Sequence, residues 1–280
     1  MYDDVLRLSA PTRVKTVGFG DDLAIVATAK HLEEVELMSL GLCLAEHKTE
    51  AVLISSRKKL EVASINVNGT LLQSKEFSRY LGVMIGFRLT FKHHLQYAHK
   101  KASDACMALS RIMPNTRGPK QARRTLLINE VWSIVMYGST VWATAMKTKS
   151  YRRDVESVHR LGALRVCRAF RIVFEDAVLA SLIPIDLLVD ETLFEANSES
   201  PTVRKRLARE RSLLKWQGCW DSSVKGRWTH QLIPNITAWL GRTHGSMNFY
   251  ITQILSRSGC FRAHLHKYKP CLGHFRRNGD

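Results

Sequence analysis

No stretch of eighteen consecutive apolar residues occurs in the chain, so no segment is expected to cross a membrane as a helix. The first residues, Met1-Tyr2-Asp3-Asp4, are acidic and lead into no apolar core, which argues against a secretory signal. Cysteine is sparse. Cys43, Cys106, Cys167, Cys219, Cys260 and Cys271 lie too far apart for a secreted disulfide scaffold and read as reduced thiols of an intracellular protein. Acidic side chains are also few, 25 against 42 Lys and Arg, a net charge of +17. What the chain does carry is 45% hydrophobic residues over 280 positions. That is enough for one large or two smaller folded domains, and it argues against disorder.

The placement of the charge is more informative than its total. Residues 1–50 hold 5 basic and 9 acidic side chains, and residues 51–150 hold 16 and 4. Residues 151–200 turn acidic again with 6 and 9, and residues 201–280 hold 15 and 3. An acidic head followed by basic segments suits a metal-bearing site beside a polyanion-binding surface. A basic protein with solvated charges is the plainer alternative.

Within the acidic head, Asp21-Asp22 sits between two short runs rich in β-branched residues, Val14 to Val17 and Leu23 to Val26. The pattern predicts a tight β-hairpin with the acids at its turn. Neighbouring side chains on an extended chain point to opposite faces, so the two acids are not equivalent. One can hold a metal while the other supports the turn or a second ion. Asp-Asp is common in surface turns, but here the apolar flanks bury the arms and hold the acids at the tip.

Further along, Lys30 to Leu44 has the spacing of an amphipathic helix ended near Gly41, and Ala51 to Ile54 reads as a buried strand. Ile65 to Leu71 reads as an alternating strand with an Asn68-Gly69 turn signal, and Ser78 to Ile85 as another strand. From Phe91 the period changes. Phe91, Leu95, Ala98, Ala102, Ala105, Leu109 and Met113 predict a helix ended by Pro114. Pro119 at N1 opens a second, expected to run to about Met146, and a third runs from about Tyr151 to Phe170. On that third helix Arg152, Arg160, Arg165 and Arg168 oppose an apolar face, either gripping phosphates or simply solvated. Glu195 to Pro201 is the best linker.

Ser200 as N-cap and Pro201 at N1 start a fourth helix. It carries Arg204, Lys205, Arg206, Arg209, Arg211 and Lys215, with Val203, Leu207 and Leu214 expected on its buried side. Beyond it Trp216, Trp220, Trp228 and Trp239 alternate with Lys225, Arg227, His230 and Arg242. Such interleaving binds single strands by stacking and charge, though taken singly each tryptophan is more readily a core residue. Cys260, His264, His266, Cys271 and His274 close the chain; Cys271 and His274 have ligand-like spacing but lack a second pair to complete a zinc site. The fold class expected is α+β, with residues 1–90 mixed, 91–195 helical, and 196–280 basic, tryptophan-rich and mostly helical.

Phe19-Gly20-Asp21-Asp22 followed by Leu23-Ala24-Ile25-Val26 resembles the Phe/Tyr-Ala-Asp-Asp box of reverse transcriptases, with Gly20 where the family has Ala. More narrowly, it is similar to non-LTR (LINE-type) retrotransposon polymerases of the arthropod clade that inserts into ribosomal DNA. The order of later segments carries the resemblance through the chain. Gly41-Leu42 through Lys48-Thr49-Glu50-Ala51-Val52-Leu53 resembles the next family motif. Tyr80-Leu81-Gly82-Val83 with Leu89-Thr90-Phe91 and His94 resembles the primer grip and its exit. Tyr137-Gly138 to Trp142 and Leu182 to Leu188 resemble the thumb, and Gly226 to Pro234 a segment that follows it.

The resemblance implies a partial polymerase palm over residues 1–90, a helical thumb over 91–195 and a post-thumb region after it. It implies nucleotidyl transfer: a primer 3′-hydroxyl attacks the α-phosphate of a deoxynucleotide on an RNA template, with two Mg²⁺ ions held in part by Asp21 and Asp22. Lys48 matches the lysine thought to protonate the pyrophosphate, and Tyr80, Leu81 and Gly82 match the primer grip. Arg152, Arg160, Arg204, Lys205, Arg209, Lys225 and Arg227 are the expected nucleic-acid contacts. The partners implied are an RNA template, a DNA primer and deoxynucleotides, in the nucleus and away from membranes. The family's third carboxylate and nucleotide-binding fingers belong upstream of Tyr2, and its zinc module extends past Asp280. The chain is therefore expected to be a fragment without zinc and without activity alone. The other reading is a non-catalytic nucleic-acid-binding remnant of such an element.

Overall fold

The computed structural model describes residues 14–19, 22–28, 49–56, 62–67, 70–173, 175–179, 182–194 and 200–257. The helix expected over Lys30 to Leu44, the linker residues 195–199 and the terminal Cys/His cluster lie outside the described residues. The chain divides into two compact units, 1–94 and 95–280.

The first unit is built from antiparallel hairpins. β1 (Val14–Phe19) pairs with β2 (Asp22–Ala27) in a register that runs from Val14 opposite Ala27 to Phe19 opposite Asp22. This is the hairpin that the flanking apolar runs predict. β3 (Ser64–Val67) and β4 (Thr70–Gln73) pair on either side of Asn68-Gly69, so the strand read over Ile65 to Leu71 is two strands of a hairpin. β5 (Phe77–Tyr80) and β6 (Val83–Gly86) likewise divide the strand expected over Ser78 to Ile85. Between them Leu81 has φ 45° and Gly82 φ 81°. Two successive left-handed residues reverse the chain with the twist of a two-residue hairpin turn, which a single strand cannot accommodate.

Ala51 to Ile54 is not a strand. It makes one parallel bridge, Val52 to Lys75, and Ile54 is 52% exposed. The segment stitches two connections together, because the Lys75 amide donates to the Ala51 carbonyl (2.8 Å) and the Ser55 amide to that of Phe87 (2.9 Å). An apolar run of four cannot distinguish this role from a ladder strand.

Helix α1 (Lys92–Ser110) begins in this unit, and its first turn secures the last hairpin. The His93 ring stacks on Phe77 at 4.7 Å and its Nε2 lies 3.4 Å from Glu76. The Met84 amide donates to His94 Nδ1 (3.4 Å).

In the second unit α1 buries Leu95, Ala98, Ala102 and Cys106, spaced three or four residues apart as the period requires. α2 (Gln121–Met136) follows. The single helix expected as far as Met146 stops at Tyr137, because Gly138 adopts φ 62°. A short α3 (Ser139–Trp142) and a 3₁₀ turn (Ala143–Lys147) complete the span. The break lets Trp142 turn fully inward, its Nε1 donating to the Tyr137 carbonyl at 2.8 Å.

α4 (Lys149–Cys167) packs on α2, and the two meet closely at Gly162. A Cβ there would lie 2.9 Å from Ile128 Cγ2, so glycine is what permits the approach. Short helices α5 (Glu175–Leu179) and α6 (Ile185–Thr192) lead to the long α7 (Pro201–Ser222), then α8 (Arg227–Leu232), α9 (Ile236–Leu240) and α10 (Phe249–Ser256). Ser200 caps α7 as expected, its hydroxyl accepting from the Val203 amide at 3.4 Å.

The buried side of α7 is not the one that Val203, Leu207 and Leu214 suggest. Ala208, Ser212, Trp216 and Trp220 face inward, and Leu214 is 75% exposed. Two indoles carry far more apolar area than one leucine, and they set the helix's rotation. Trp216 and Trp220 form a core with Leu187, Ile233 and Ile236, with Trp220 Nε1 donating to the Ile233 carbonyl (2.8 Å). The last helix returns to the earlier ones: the Thr252 hydroxyl donates to the Cys167 carbonyl, and the Met247 amide to Gln121 Oε1. Among the described residues no helix is long and apolar enough to cross a membrane.

Candidate nucleic-acid interface

Asp21 and Lys48 lie outside the described residues. Asp22 opens β2 directly across from Phe19 and is exposed. Its carboxylate thus stands at the hairpin's tip, where hard oxygen donors suit Mg²⁺, but the arms are not buried as the flanking runs suggest: Val17 is 51%, Phe19 70% and Val26 50% exposed. Among the described residues no group of three or more His, Cys, Asp or Glu side chains is assembled to hold a metal.

The residues matched to the primer grip lie beside this hairpin. Tyr80 ends β5, and its hydroxyl donates to the Val17 carbonyl on β1 at 3.4 Å. Leu81 and Gly82 form the tip of the β5–β6 hairpin. Leucine in the left-handed region costs of the order of 1 kcal/mol, a local strain that the surrounding hairpin must hold. Glu50, two residues past Lys48, pairs with Lys75 at 2.7 Å. That hydrogen bond, with a second from Ser78, draws the Glu50 carboxyl below its usual range.

The seven basic residues expected to meet nucleic acid fall into distinct environments. Arg160 spends Nη2 on the carbonyls of Arg171 (3.0 Å) and Val173 (2.8 Å), holding the chain that follows α4. Arg227 Nη1 similarly reaches the carbonyls of Asp221 and Ser223. Arg152 pairs with Glu156 across one helical turn (3.5 Å), and burial is the main cause that raises the Glu156 carboxyl. Arg209 pairs with Glu191 at 3.0 Å, and the neighbouring Lys215 with Asp190 at 2.9 Å, clasping α7 to α6. Arg204, Lys205 and Lys225 are exposed. Of the seven, these three present the least encumbered cations to a polyanion.

Sequence reasoning missed the most committed cation. Arg124 is fully buried on α2 and donates to five carbonyls: Pro119 (2.9 Å), Met113 (3.2 Å), Arg165 (2.8 Å), Arg117 (2.9 Å) and Pro114. Burial first, then the nearby Arg168 and Arg165, lower its pKa to about 10, so it stays charged at neutral pH. Its neighbour Arg123 is exposed, and nothing in the sequence marks one of the pair as internal. His159 was missed too. It is buried against Trp132, ring centroids 5.2 Å apart, and desolvation lowers its pKa to about 4.

The tryptophans divide as single-residue reasoning suggests for two of them: Trp216 and Trp220 are core. Trp239 is half-buried beneath the Arg242 guanidinium, 3.4 Å from its ring centroid, whereas Trp228 is 40% exposed.

No protein-family model and no solved structure matches the chain. Its similarity is to curated polyproteins of mobile elements. A Pol polyprotein from type-1 retrotransposable element R1 of Nasonia vitripennis is 28% identical over 94% of this chain and 89% of that protein. The R1 Pol polyprotein of Bradysia coprophila is 27% identical over 90% of this chain. A 115 kDa protein of element R1DM in Drosophila melanogaster is 25% identical over 94% of it. The chain spans 29% of the length of each of the last two. Over nine-tenths of its length, therefore, the chain is similar to the Pol polyproteins of R1 retrotransposable elements.

Proposed function

We propose that the chain is the late-palm, thumb and post-thumb part of the reverse transcriptase of an R1-like element, acting in the nucleus on an RNA template and a DNA primer. The observation that carries this reading is the order of boxes along the chain: Asp21-Asp22, Lys48, and Tyr80 to Gly82, followed by helices and a basic region, in a homologue of R1 Pol polyproteins. The hairpin geometry supports it. Asp22 is presented at the tip of the β1–β2 hairpin, and the hydroxyl of Tyr80 ties the β5–β6 hairpin to β1.

In this reading Asp21 and Asp22 hold Mg²⁺, which when bound activates the primer hydroxyl and offsets charge on the transferring phosphate. Lys48 gives its proton to the departing pyrophosphate. Tyr80, Leu81 and Gly82 position the primer terminus, and Arg204, Lys205 and Lys225 take backbone phosphates, giving affinity that falls as salt rises.

The experiment is primer extension by a chimera in which this chain replaces the matching region of the Bradysia coprophila polyprotein. Extension that Asp21→Asn abolishes supports polymerisation. A chimera that binds primer–template but never extends it supports the second reading, a non-catalytic binding remnant.

A further inference from the structure

We infer that the exposed face shared by α8 and α10 is a platform on which about three unpaired nucleotide bases stack. The inference rests on the nucleic-acid reading above and adds to it a place and a class of ligand, single-stranded RNA or DNA.

On α10, Tyr250, Ile254 and Arg257 recur at four and three residues and so share one face. Tyr250 is 76% exposed and Ile254 50%. The opposite face is fixed at Thr252, which is buried with its hydroxyl donating to the Cys167 carbonyl, and Gln253 is buried along one edge of the stripe. Asn248 caps the helix, its Oδ1 accepting from the Ile251 amide at 2.9 Å.

Trp228 of α8 lies beside the end of this stripe. Its Nε1 donates to the Ile254 carbonyl (2.8 Å), and Arg257 lies over its ring at 5.3 Å. At the other end Phe249 meets Tyr250 edge-on at 5.6 Å, and meets the 41%-exposed Phe170 edge-on at 5.6 Å. Trp228 is thus exposed yet held by a hydrogen bond, and Tyr250 is exposed with an edge contact to its neighbour. Stacking on them therefore loses little side-chain entropy.

Two further features select the ligand. Seven residues of helix span about 10 Å, close to three steps of a strand at about 3.4 Å each. Between Asp221 and Asp280 the chain has no Asp or Glu at all, while Lys225, Arg227 and Arg257 lie on or beside the two helices. Neither helix carries an acid of its own, and the Asp221 carboxylate beside α8 is engaged by His230 at 2.9 Å; aromatic faces flanked by cations are what an unpaired strand requires.

The test uses the full chain, a fluorescein-labelled 20-nucleotide oligouridine, and a blunt duplex of equal length, followed by anisotropy at fixed salt. Tyr250→Ala is expected to weaken oligouridine binding about tenfold, the loss of one stacked base. Tyr250→Phe restores it, and both variants keep the wild-type duplex affinity and salt slope, because the tyrosine carries no charge. Unchanged oligouridine binding by Tyr250→Ala, or an equal loss toward duplex, overturns the platform while leaving the nucleic-acid reading intact. A wild-type chain that binds neither probe overturns both. A Tyr250→Ala chain that binds normally but sediments as a smaller species makes the face a self-association surface and also overturns the proposal.

Discussion

Arg124 shows why a residue's type alone does not give its role in a chain this basic. Five backbone carbonyls surround its guanidinium and hold the α1–α2 connection against the end of α4. A buried cation saturated in this way keeps its charge but becomes costly to remove, because its partners are left unsatisfied. Arg124→Ala is expected to lower stability by about 3 kcal/mol or more, read as a shifted denaturant midpoint with the slope unchanged. Arg124→Lys should not recover it, because an ammonium offers three donors in place of five.

His159 yields a pH dependence whose direction follows from its burial. Its folded pKa of about 4 lies below the ordinary value of 6.5, so the unfolded chain takes up the proton first. The stability present above pH 6.5 is lost as pH falls toward 4, amounting to about 3 kcal/mol at the acid end. Chemical denaturation of the wild type and of His159→Phe across this window isolates the effect, since the variant should lack that component of the slope.

At the scale of elements, the hairpins show how far the sequence could be read. The first was legible because two apolar runs flank two turn-forming acids. The third was not, because Leu81 gives no turn signal: a γ-branched apolar residue is the last type expected at φ 45°. Replacing it with Asn, which tolerates that region, should stabilise the hairpin by about 0.5–1 kcal/mol, whereas Gly82→Val should destabilise it by more. Thermal melts of the two variants check both signs. If Leu81 positions a primer, Leu81→Asn gains stability and loses extension. The helices divide in the same way. The Ser200-Pro201 start of α7 was visible in its capping residues, but the rotation of that helix was not, because the competition between Leu214 and two tryptophans is settled by the partners α6 and α9. The break at Gly138 was passed over for a related reason. An isolated glycine inside an apolar helical pattern is usually tolerated, and only the inward turn of Trp142 shows that this one ends a helix.

Taken whole, the molecule separates the charges that build the fold from those left outside it. Arg124, Arg160 and Arg168 hold carbonyls, and Arg209 and Lys215 hold carboxylates, while Arg204, Lys205 and Lys225 remain exposed. The acid-poor stretch after Asp221 adds basic residues, and Asp21-Asp22 belong to the first unit. The proposed site is therefore a reading of the sequence, through Asp21-Asp22 and the boxes that follow. It was less legible as a list of contacts, since the sequence cannot show which arginines the backbone consumes. The most direct test of the central claim is single-turnover incorporation of one deoxynucleotide on an RNA template in Mg²⁺. It compares the chimera carrying this chain in the Bradysia coprophila polyprotein with its Asp21→Asn and Asp22→Asn forms. The account predicts incorporation by the chimera and a loss of at least about a hundredfold in either variant, as expected when a metal's charge stabilisation is removed. Equal incorporation by all three, or none by a chimera that binds primer–template as tightly as its parent, would contradict it.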